Sequence, residues 1–316
     1  MYRIGVDIGG TNISLGLLDD DLEIRASRSI PFQRGGDRVA KIIAEQVHMM
    51  LEEAGIGQEE LSCIGVAVPG SIDPAGELVI NAYNLGFHNE PLRLLIQAHF
   101  PDLPVAIGND ADAAVLAELY KGALKGCKTA ALYTIGTGIG GGFILDGRMF
   151  RGGRGNGSEL GHAILVVGGI KCTCGVAGCV ESYCSATAII RQANMAMTAH
   201  PESLLYKHTA GAPEVMTAKL AIDCAKAGDK AALEVFRAYV GYLGSAIASM
   251  MNMLDMEVVA IGGGVSGAGE FLFEALSADV DSKCFFKNHG SVVPARMGNT
   301  AGVVGAAMFY HNACDS

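Results

Sequence analysis

The sequence predicts an α/β protein made of two similar halves, and three observations carry that expectation. Apolar strand-like runs alternate with segments of helical period along the whole chain. A glycine-turned strand pair occurs twice: Asp7-Ile8-Gly9-Gly10-Thr11 lies over Thr134-Ile135-Gly136-Thr137-Gly138, and Asp19 over Asp146, at an offset of 127 residues. That offset is too long for a solenoid period and fits a duplicated domain. The 316 residues also suffice for two separate cores.

The first element, "YRIGVDIGGTNISLGLLDDD", reads as strand, glycine turn, strand and an acid-rich turn. "GDRVAKIIAEQVHMMLEEAG" follows as an amphipathic helix. Its apolar face is Val39, Ile42, Ile43, Val47, Met50 and Leu51, with Asp37 as N-cap and Gly55 as stop. "CIGVAVPG" is a buried strand, "PLRLLIQAHF" a short helix, "VAIGND" a strand and "ADAAVLAELYKGAL" a helix. "TAALYTIGTGIGGGFILDGR" repeats the opening hairpin. The second half is helix-rich, with helices over 217–227 and from about Asp229 to Met253. "EVVAIGGG" is a strand entering a glycine loop, "AGEFLFEALSADV" a helix and "TAGVVGAAMFYHNA" a closing helix. No low-complexity run or long linker separates the halves, so they are expected to share one cleft. The expected division is a smaller N-terminal α/β domain, 1–112 plus about 299–316 with the closing helix. A larger α/β domain over about 113–298 carries a cysteine-rich loop.

Half of the residues are hydrophobic and 18% are charged, a globular composition. The longest apolar candidate, "LGSAIASMMNML", falls short of the ~18 residues of a membrane span. "MYRIGVDIGG" enters a strand pattern at once with no long apolar leader, which makes a cytoplasmic location the expectation. A net charge of −10 argues against a bulk electrostatic grip on nucleic acid.

Two stretches match G-x-G-x-x-G, at Gly136/Gly138/Gly141 and Gly262/Gly264/Gly267, but with 43 glycines such matches are weak. The first is followed by a strand where a dinucleotide fold needs a helix, and the second lacks a later strand ending in an acid. No G-x-x-x-x-G-K-[ST] occurs, so a P-loop enzyme is excluded. One glycine loop alone would be read as a tight turn. Here three loops follow strands, "DIGGTN", "GTGIGGG" and "GGGV". Glycine lets backbone N–H groups approach a phosphate without obstruction. The candidate phosphate-binding residues are Gly9, Gly10, Thr11 and Asn12, then Thr137 and Gly138, then Gly263 and Gly264. Thr11 and Thr137 add hydroxyls at matching places, and Asp7 is suited to hold Mg²⁺ through water. Two such hairpins would grip a triphosphate from both sides.

Of nine cysteines, six are scattered: Cys63, Cys127, Cys184, Cys224, Cys284 and Cys314. Such cysteines are ordinarily small buried apolar residues. Cys172, Cys174 and Cys179 instead crowd into the loop "KCTCGVAGCVES". C-x-C is not the C-x-x-C of a redox site, and a disulfide framework is not expected in a cytoplasmic chain, which leaves a metal. A tetrahedral zinc needs a fourth ligand, and His162 and Cys184 both lie near in sequence.

The segments "DIGGTN", "GVAVPG", "GNDADAA", "GTGIGGG", "ELGH", "CTCGVAGCVES" and "IGGGV" occur in that order. Together they resemble the ROK family of bacterial sugar kinases and sugar-responsive repressors over essentially the whole chain. "ELGH" with the C-x-C-G-x-x-G-C-x-E run is the specific part. The resemblance implies an actin-like ATPase (ribonuclease H-like) fold, with two duplicated α/β domains flanking a cleft. It implies phosphorylation of a hexose by ATP with Mg²⁺, glucose to glucose 6-phosphate in the first place. N-acetylmannosamine, N-acetylglucosamine, fructose or allose are alternative acceptors, and a non-catalytic sugar sensor is the alternative outside the class. Asp110 is then the general base and Asn109 a sugar contact. Glu159, His162 and Glu181 touch ring hydroxyls, and Gly70 and Asn84 line the same pocket. The resemblance selects His162 over Cys184 to complete a structural zinc site with Cys172, Cys174 and Cys179. It also implies a homodimer. Ser158 departs from the family pattern, where many members carry glycine. The repressor branch places a helix-turn-helix before the first hairpin. Here the hairpin begins at residue 2, so a DNA-binding role is not expected.

Overall fold

The computed structural model describes residues 1–154 and 157–314; the last two residues of the expected N-terminal domain, 315 and 316, lie outside them. The chain forms two compact units. Unit 1 comprises 1–126, 147–158 and 297–316, and unit 2 comprises 127–146 and 159–296.

Unit 1 is built on a sheet of order β3-β2-β1-β4-β8. β1 (Tyr2–Ile8), β2 (Asn12–Leu18) and β3 (Ile24–Pro31) form an antiparallel meander. β3 is an edge strand in which half-buried and exposed residues alternate, a period-2 pattern that the sequence reading missed. Helix α1 (Gly36–Ala54) buries Val39, Ile43, Val47 and Met50 completely or nearly so, roughly 8 kcal/mol of gross apolar stabilisation. Its N-cap is Gly35, not the expected Asp37, which sits in the first turn and favours the helix dipole. Gly36, the first residue of the helix, packs against the Glu90 side chain, whose Oε1 would lie 2.2 Å from a Cβ there. Gly55 ends it in the left-handed conformation, as expected. β4 (Leu61–Val68) continues the sheet parallel to β1. β5 (Ser71–Ile72), β6 (Val79–Ala82) and β7 (Phe87–Glu90) make a small second sheet before α2 (Leu92–Gln97). β8 (Val105–Asn109) is parallel to β4 and runs directly into α3 (Asp110–Tyr120).

Unit 2 begins with the second hairpin, β9 (Ala130–Ile135) and β10 (Ile139–Leu145). A two-residue strand, β11 (Arg148–Met149), lies in the 147–158 segment of unit 1. Helices α4 (Glu181–Cys184), α5 (Ala186–Ala199), α6 (Leu204–Thr209), α7 (Ala218–Lys226) and α8 (Lys230–Leu254) follow. Asp229 caps α8, its Oδ1 accepting from Ala232 N at 2.9 Å. β12 (Val258–Gly262) pairs parallel with β9, α9 spans Glu270–Lys283, and β13 (Ser291–Pro294) pairs parallel with β12. The order β10-β9-β12-β13 repeats β2-β1-β4-β8 of unit 1.

The repeat is not uniform. In β1–β2, Ile8 faces Ile13 across four turn residues; in β9–β10, Ile135 faces Ile139 across three. Asp7 therefore faces Ser14 while Thr134 faces Gly140, and the offset of 127 slips to 126 past the turn.

The expected closing helix is two helices, α10 (Ala301–Ala306) and α11 (Phe309–Cys314), broken where Met308 N donates to Gly305 O at 3.0 Å. α10 packs backbone against backbone in unit 1. A Cβ would lie 1.9 Å from Val303 O at Gly5, 1.7 Å from Ala306 O at Gly65, and 1.6 Å from Ala113 O at Gly305.

Candidate active site

In unit 1, β1 and β8 flank β4 in parallel, so both release their next residues at the same sheet edge, where open α/β sheets bind ligands. β1 ends at Asp7-Ile8 and enters the turn Gly9–Asn12, closed by Gly9 N donating to Asn12 O at 2.8 Å. Thr11 O accepts from Phe32 N at 2.8 Å, which ties the turn to the end of β3. Gly10, Thr11 and Asn12 are exposed, and a Cβ on Gly10 would meet the Asn84 amide at 3.6 Å.

β8 ends at Asn109, which is the N-cap of α3. Its Oδ1 accepts from Ala111 N at 2.7 Å and its Nδ2 donates to Gly70 O at 2.7 Å. The amide keeps one N–H and one lone pair for another partner. Gly70 is held at φ +105°, where a Cβ would lie 2.1 Å from Asn81 O. Asp110 is the first residue of α3 and exposed; its Oδ1 also accepts from Ala111 N, at 2.9 Å. Capping thus belongs to Asn109. Burial, and then the negative charge of Asp110, raise the Asp7 carboxyl to about 6. A Cβ at Gly302 of α10 would lie 2.2 Å from Asp7 Oδ2, so glycine there leaves the carboxylate its space.

In unit 2 the turn Gly136–Gly138 is closed by Gly136 N donating to Gly138 O at 3.0 Å. Gly136 O accepts from Ala186 N at 2.8 Å, and Thr137 O accepts from the Thr187 hydroxyl at 2.8 Å. Ile139 N, just past the turn, donates to Glu181 Oε2 at 3.0 Å. β12 ends beside β9, with Gly262 opposite Thr134, so the Gly263–Gly264 loop leaves the same edge as this turn. Gly263 has φ +82° and a Cβ there would lie 2.4 Å from Ile135 O. Beside it opens a cavity of about 450 Å³ whose lining includes Ala186, Lys219, Asp223, Lys226, Gly264 and Val265. Pockets of this size accept a nucleoside.

His162 ends a short 3₁₀ turn, Leu160–His162, whose start is Glu159; Glu159 O accepts from His162 N at 3.0 Å. His162, Cys172, Cys174 and Cys179 bring one donor atom each to within 4.8 Å of one another. Cys172 Sγ is 3.7 Å from His162 Nδ1 and Cys174 Sγ is 3.6 Å from Cys179 Sγ. A tetrahedron with metal–sulfur bonds of ~2.3 Å has edges of about 3.7 Å, so the four side chains fit a single ion. Their acidity points the same way. Burial pushes the Cys179 thiol up, and with the neighbouring thiols it reaches about 12. Burial also opposes the Cys172 thiolate, but hydrogen bonds from Cys174, Ser182 and Thr173 outweigh it and lower that thiol to about 7. Such a crowd of sulfurs deprotonates fully only around a cation. Cys184 is not in the cluster; it lies in the unit 2 core, its thiol raised by burial. The loop is braced by Leu165 N to Gly178 O at 2.8 Å and Val180 N to Ala163 O at 2.9 Å. Glu181 follows at the start of α4, its Oε1 accepting from Thr173 Oγ1 at 3.3 Å and Cys172 Sγ at 3.5 Å.

Several of these groups escaped the sequence reading. Thr173 is only the unspecified residue between two cysteines of the run, and Thr187 lies in no motif. Lys219, Asp223 and Lys226 look like the solvated face of a helix, although the one-turn spacing of Lys219 and Asp223, which form an ion pair, was legible.

The ROK family model matches residues 3–313. The chain belongs to the ROK family. It is 36% identical over 313 residues to a glucokinase of Halalkalibacterium halodurans, covering 96% of this chain and 93% of that one. Among solved structures it superposes on a ROK hexokinase from Thermus thermophilus with a TM-score of 0.86 and 33% identity, each chain covered completely. A ROK glucokinase from Streptomyces griseus, solved with glucose and AMPPNP, gives a TM-score of 0.78 and 31% identity over 97% of this chain and 98% of that one. The fold is the actin-like ATPase fold of these ROK proteins, with its α/β core duplicated. Among the described residues no helix is long and apolar enough to cross a membrane.

Proposed function

We propose that this ROK protein transfers the γ-phosphoryl group of ATP to a hexose, converting glucose to glucose 6-phosphate. The observation that carries the reading is the coupled pair Asp7 and Asp110, where β1 and β8 end beside an exposed glycine turn. Phosphoryl transfer is mostly positioning and charge stabilisation, and the chain supplies both. Asp110 accepts the proton of the attacking sugar hydroxyl as the oxygen–phosphorus bond forms. Asn109 offers its remaining N–H and lone pair to the sugar, and Gly70 and Asn84 line the same pocket. Glu159, His162 and Glu181 hold ring hydroxyls. Backbone N–H groups and hydroxyls of Gly9, Gly10, Thr11, Asn12, Thr137, Gly138, Gly263 and Gly264 hold the phosphates. The cavity beside Gly264 suits the nucleoside.

Asp7, whose half-buried carboxyl is raised by burial and then by the charge of Asp110, would hold Mg²⁺ through water; the ion would neutralise charge on the phosphate oxygens. Three thiolates and one imidazole favour zinc, and a four-ligand site has no open position, so its role is structural. The resemblance to bacterial sugar kinases supports a cytoplasmic homodimer. The deciding measurement is ADP release in a coupled assay across a panel of hexoses. Turnover should be sugar-dependent and fastest with glucose. Faster turnover with N-acetylmannosamine, N-acetylglucosamine, fructose or allose would move the acceptor assignment, and no sugar-dependent ADP at all would refute the kinase.

A further inference from the structure

We infer that the metal loop positions the second phosphate turn as well as the sugar contacts, with Glu181 and Thr173 as the positioning residues that link them. The inference rests on the kinase reading for what the turn binds, but not for how the turn is held.

The backbone N–H and C=O of Ile139, where the turn re-enters the sheet, are both met by residues within two positions of metal ligands. Its N–H donates to Glu181 Oε2 at 3.0 Å, and Glu181 stands two residues after Cys179. Its carbonyl faces Gly161, the residue before His162; a Cβ there would lie 2.5 Å from Ile139 O. The two oxygens of Glu181 divide their work. Oε2 holds the turn, while Oε1 accepts from Thr173, which stands between the ligands Cys172 and Cys174. Gly138 is the corresponding concession in the turn, since a Cβ there would lie 2.5 Å from Glu181 Oε2. The next residues of the same segment, Ala186 and Thr187, hold Gly136 O and Thr137 O. Three hydrogen bonds on the turn and its exit thus come from residues 181–187, which leave the loop directly after its last cysteine ligand.

A cluster serving only the sugar would leave the turn indifferent to the metal. This network makes the opposite statement. Loss of the ion frees Cys179 and Thr173, lets the Glu181 carboxylate rotate, and releases the Ile139 N–H. A turn that binds phosphate through backbone N–H groups depends on their direction, so a small rotation weakens binding.

The test measures hydrogen exchange at residues 134–141 and binding of AMPPNP without sugar, on the metal-loaded protein, after chelation, and on metal-loaded Thr173→Val. Chelation should speed exchange at Ile139 by about tenfold or more and weaken AMPPNP binding by roughly 3- to 10-fold. Thr173→Val, which keeps all four ligands, should reproduce the exchange change in smaller measure with metal content unaltered. Unchanged exchange at Ile139 in both would overturn the inference, and if chelation unfolds the protein, Thr173→Val alone decides it. Should exchange respond while the metal-loaded protein binds no AMPPNP, the turn is positioned as stated and it is the ATP reading that fails.

Discussion

The two glycine turns stand at equivalent places in the repeated sheets, yet they are held in different ways. Gly9–Asn12 has four residues, closes on itself and is tied onward through the meander to Phe32. Gly136–Gly138 has three, and its outward hydrogen bonds go to residues 181–187, more than forty positions away. The first is preceded by a half-buried acid, Asp7, whose carboxyl feels the charge of Asp110; its counterpart in the second is Thr134. Both units carry the same strand order with a glycine turn at the same place. In the function proposed above, the groups that would move a proton and hold a cation stand on one copy only, and the other copy has an external brace.

The comparison predicts unequal responses to matched substitutions. Asp110→Asn should lower kcat on the order of 10²-fold or more with sugar affinity largely kept, as for loss of a general base. Near-native turnover would remove the chemical asymmetry between the turns. Asp7→Asn should also cut turnover, but it should stabilise the protein at pH 7 by roughly 1–3 kcal/mol. The sign follows from the raised carboxyl, which keeps its proton in the folded state after the unfolded chain has released it. Stability is therefore undiminished below about pH 4 and falls as pH rises towards 6, leaving a cost at neutrality that asparagine avoids. Thermal melts of native and variant protein from pH 4 to 8 check this; curves separated by the same margin throughout would contradict it.

Smaller effects distinguish the braces. Gly138→Ala forces a methyl against the Glu181 carboxylate and should raise the KM for ATP about tenfold. Gly10→Ala meets its nearest neighbour, Asn84, at 3.6 Å, an ordinary contact, and should change that KM by about threefold or less. Equal penalties in steady-state kinetics would mean that the brace adds nothing. Smallest of all, Thr11→Val and Thr137→Val each remove one hydroxyl. Each should raise the KM for ATP by roughly 2- to 5-fold, the scale of a single hydrogen bond. A change in sugar KM alone would assign those hydroxyls elsewhere.

Much of this was legible in the sequence wherever the signal is local. The periodicity of α1 and α8, the stop at Gly55 and the start of α8 near Asp229 depend on neighbours within a turn. The cysteine cluster was visible because its ligands are close in sequence. What escaped is decided at long range. The break between α10 and α11 accompanies packing of carbonyls onto Gly5 and Gly65, and Gly36 at the start of α1 packs against Glu90, far along the chain. Asp110 or Asn109 would each have suited the cap of α3; Gly70, 39 residues away, receives the other end of the Asn109 amide and goes with that choice. The register slip between the hairpins was hidden because the offset of 127 is recovered by Asp146. Nothing near Thr173 or Thr187 announces a partner, because each acts on a group brought to it by folding.

The contact of α10 with Gly5 and Gly65 also bears on how the chain is made. Strands β1 and β4 are translated more than two hundred residues before the segment that covers them. Unit 2 lies wholly between these moments, so the C-terminal neighbour has all its parts while the N-terminal unit still lacks its last helix. Synthesis order and completion order are therefore reversed. A chain truncated before residue 297 would hold a complete unit 2 joined to a unit 1 whose glycine-lined strands remain open to chaperones and proteases.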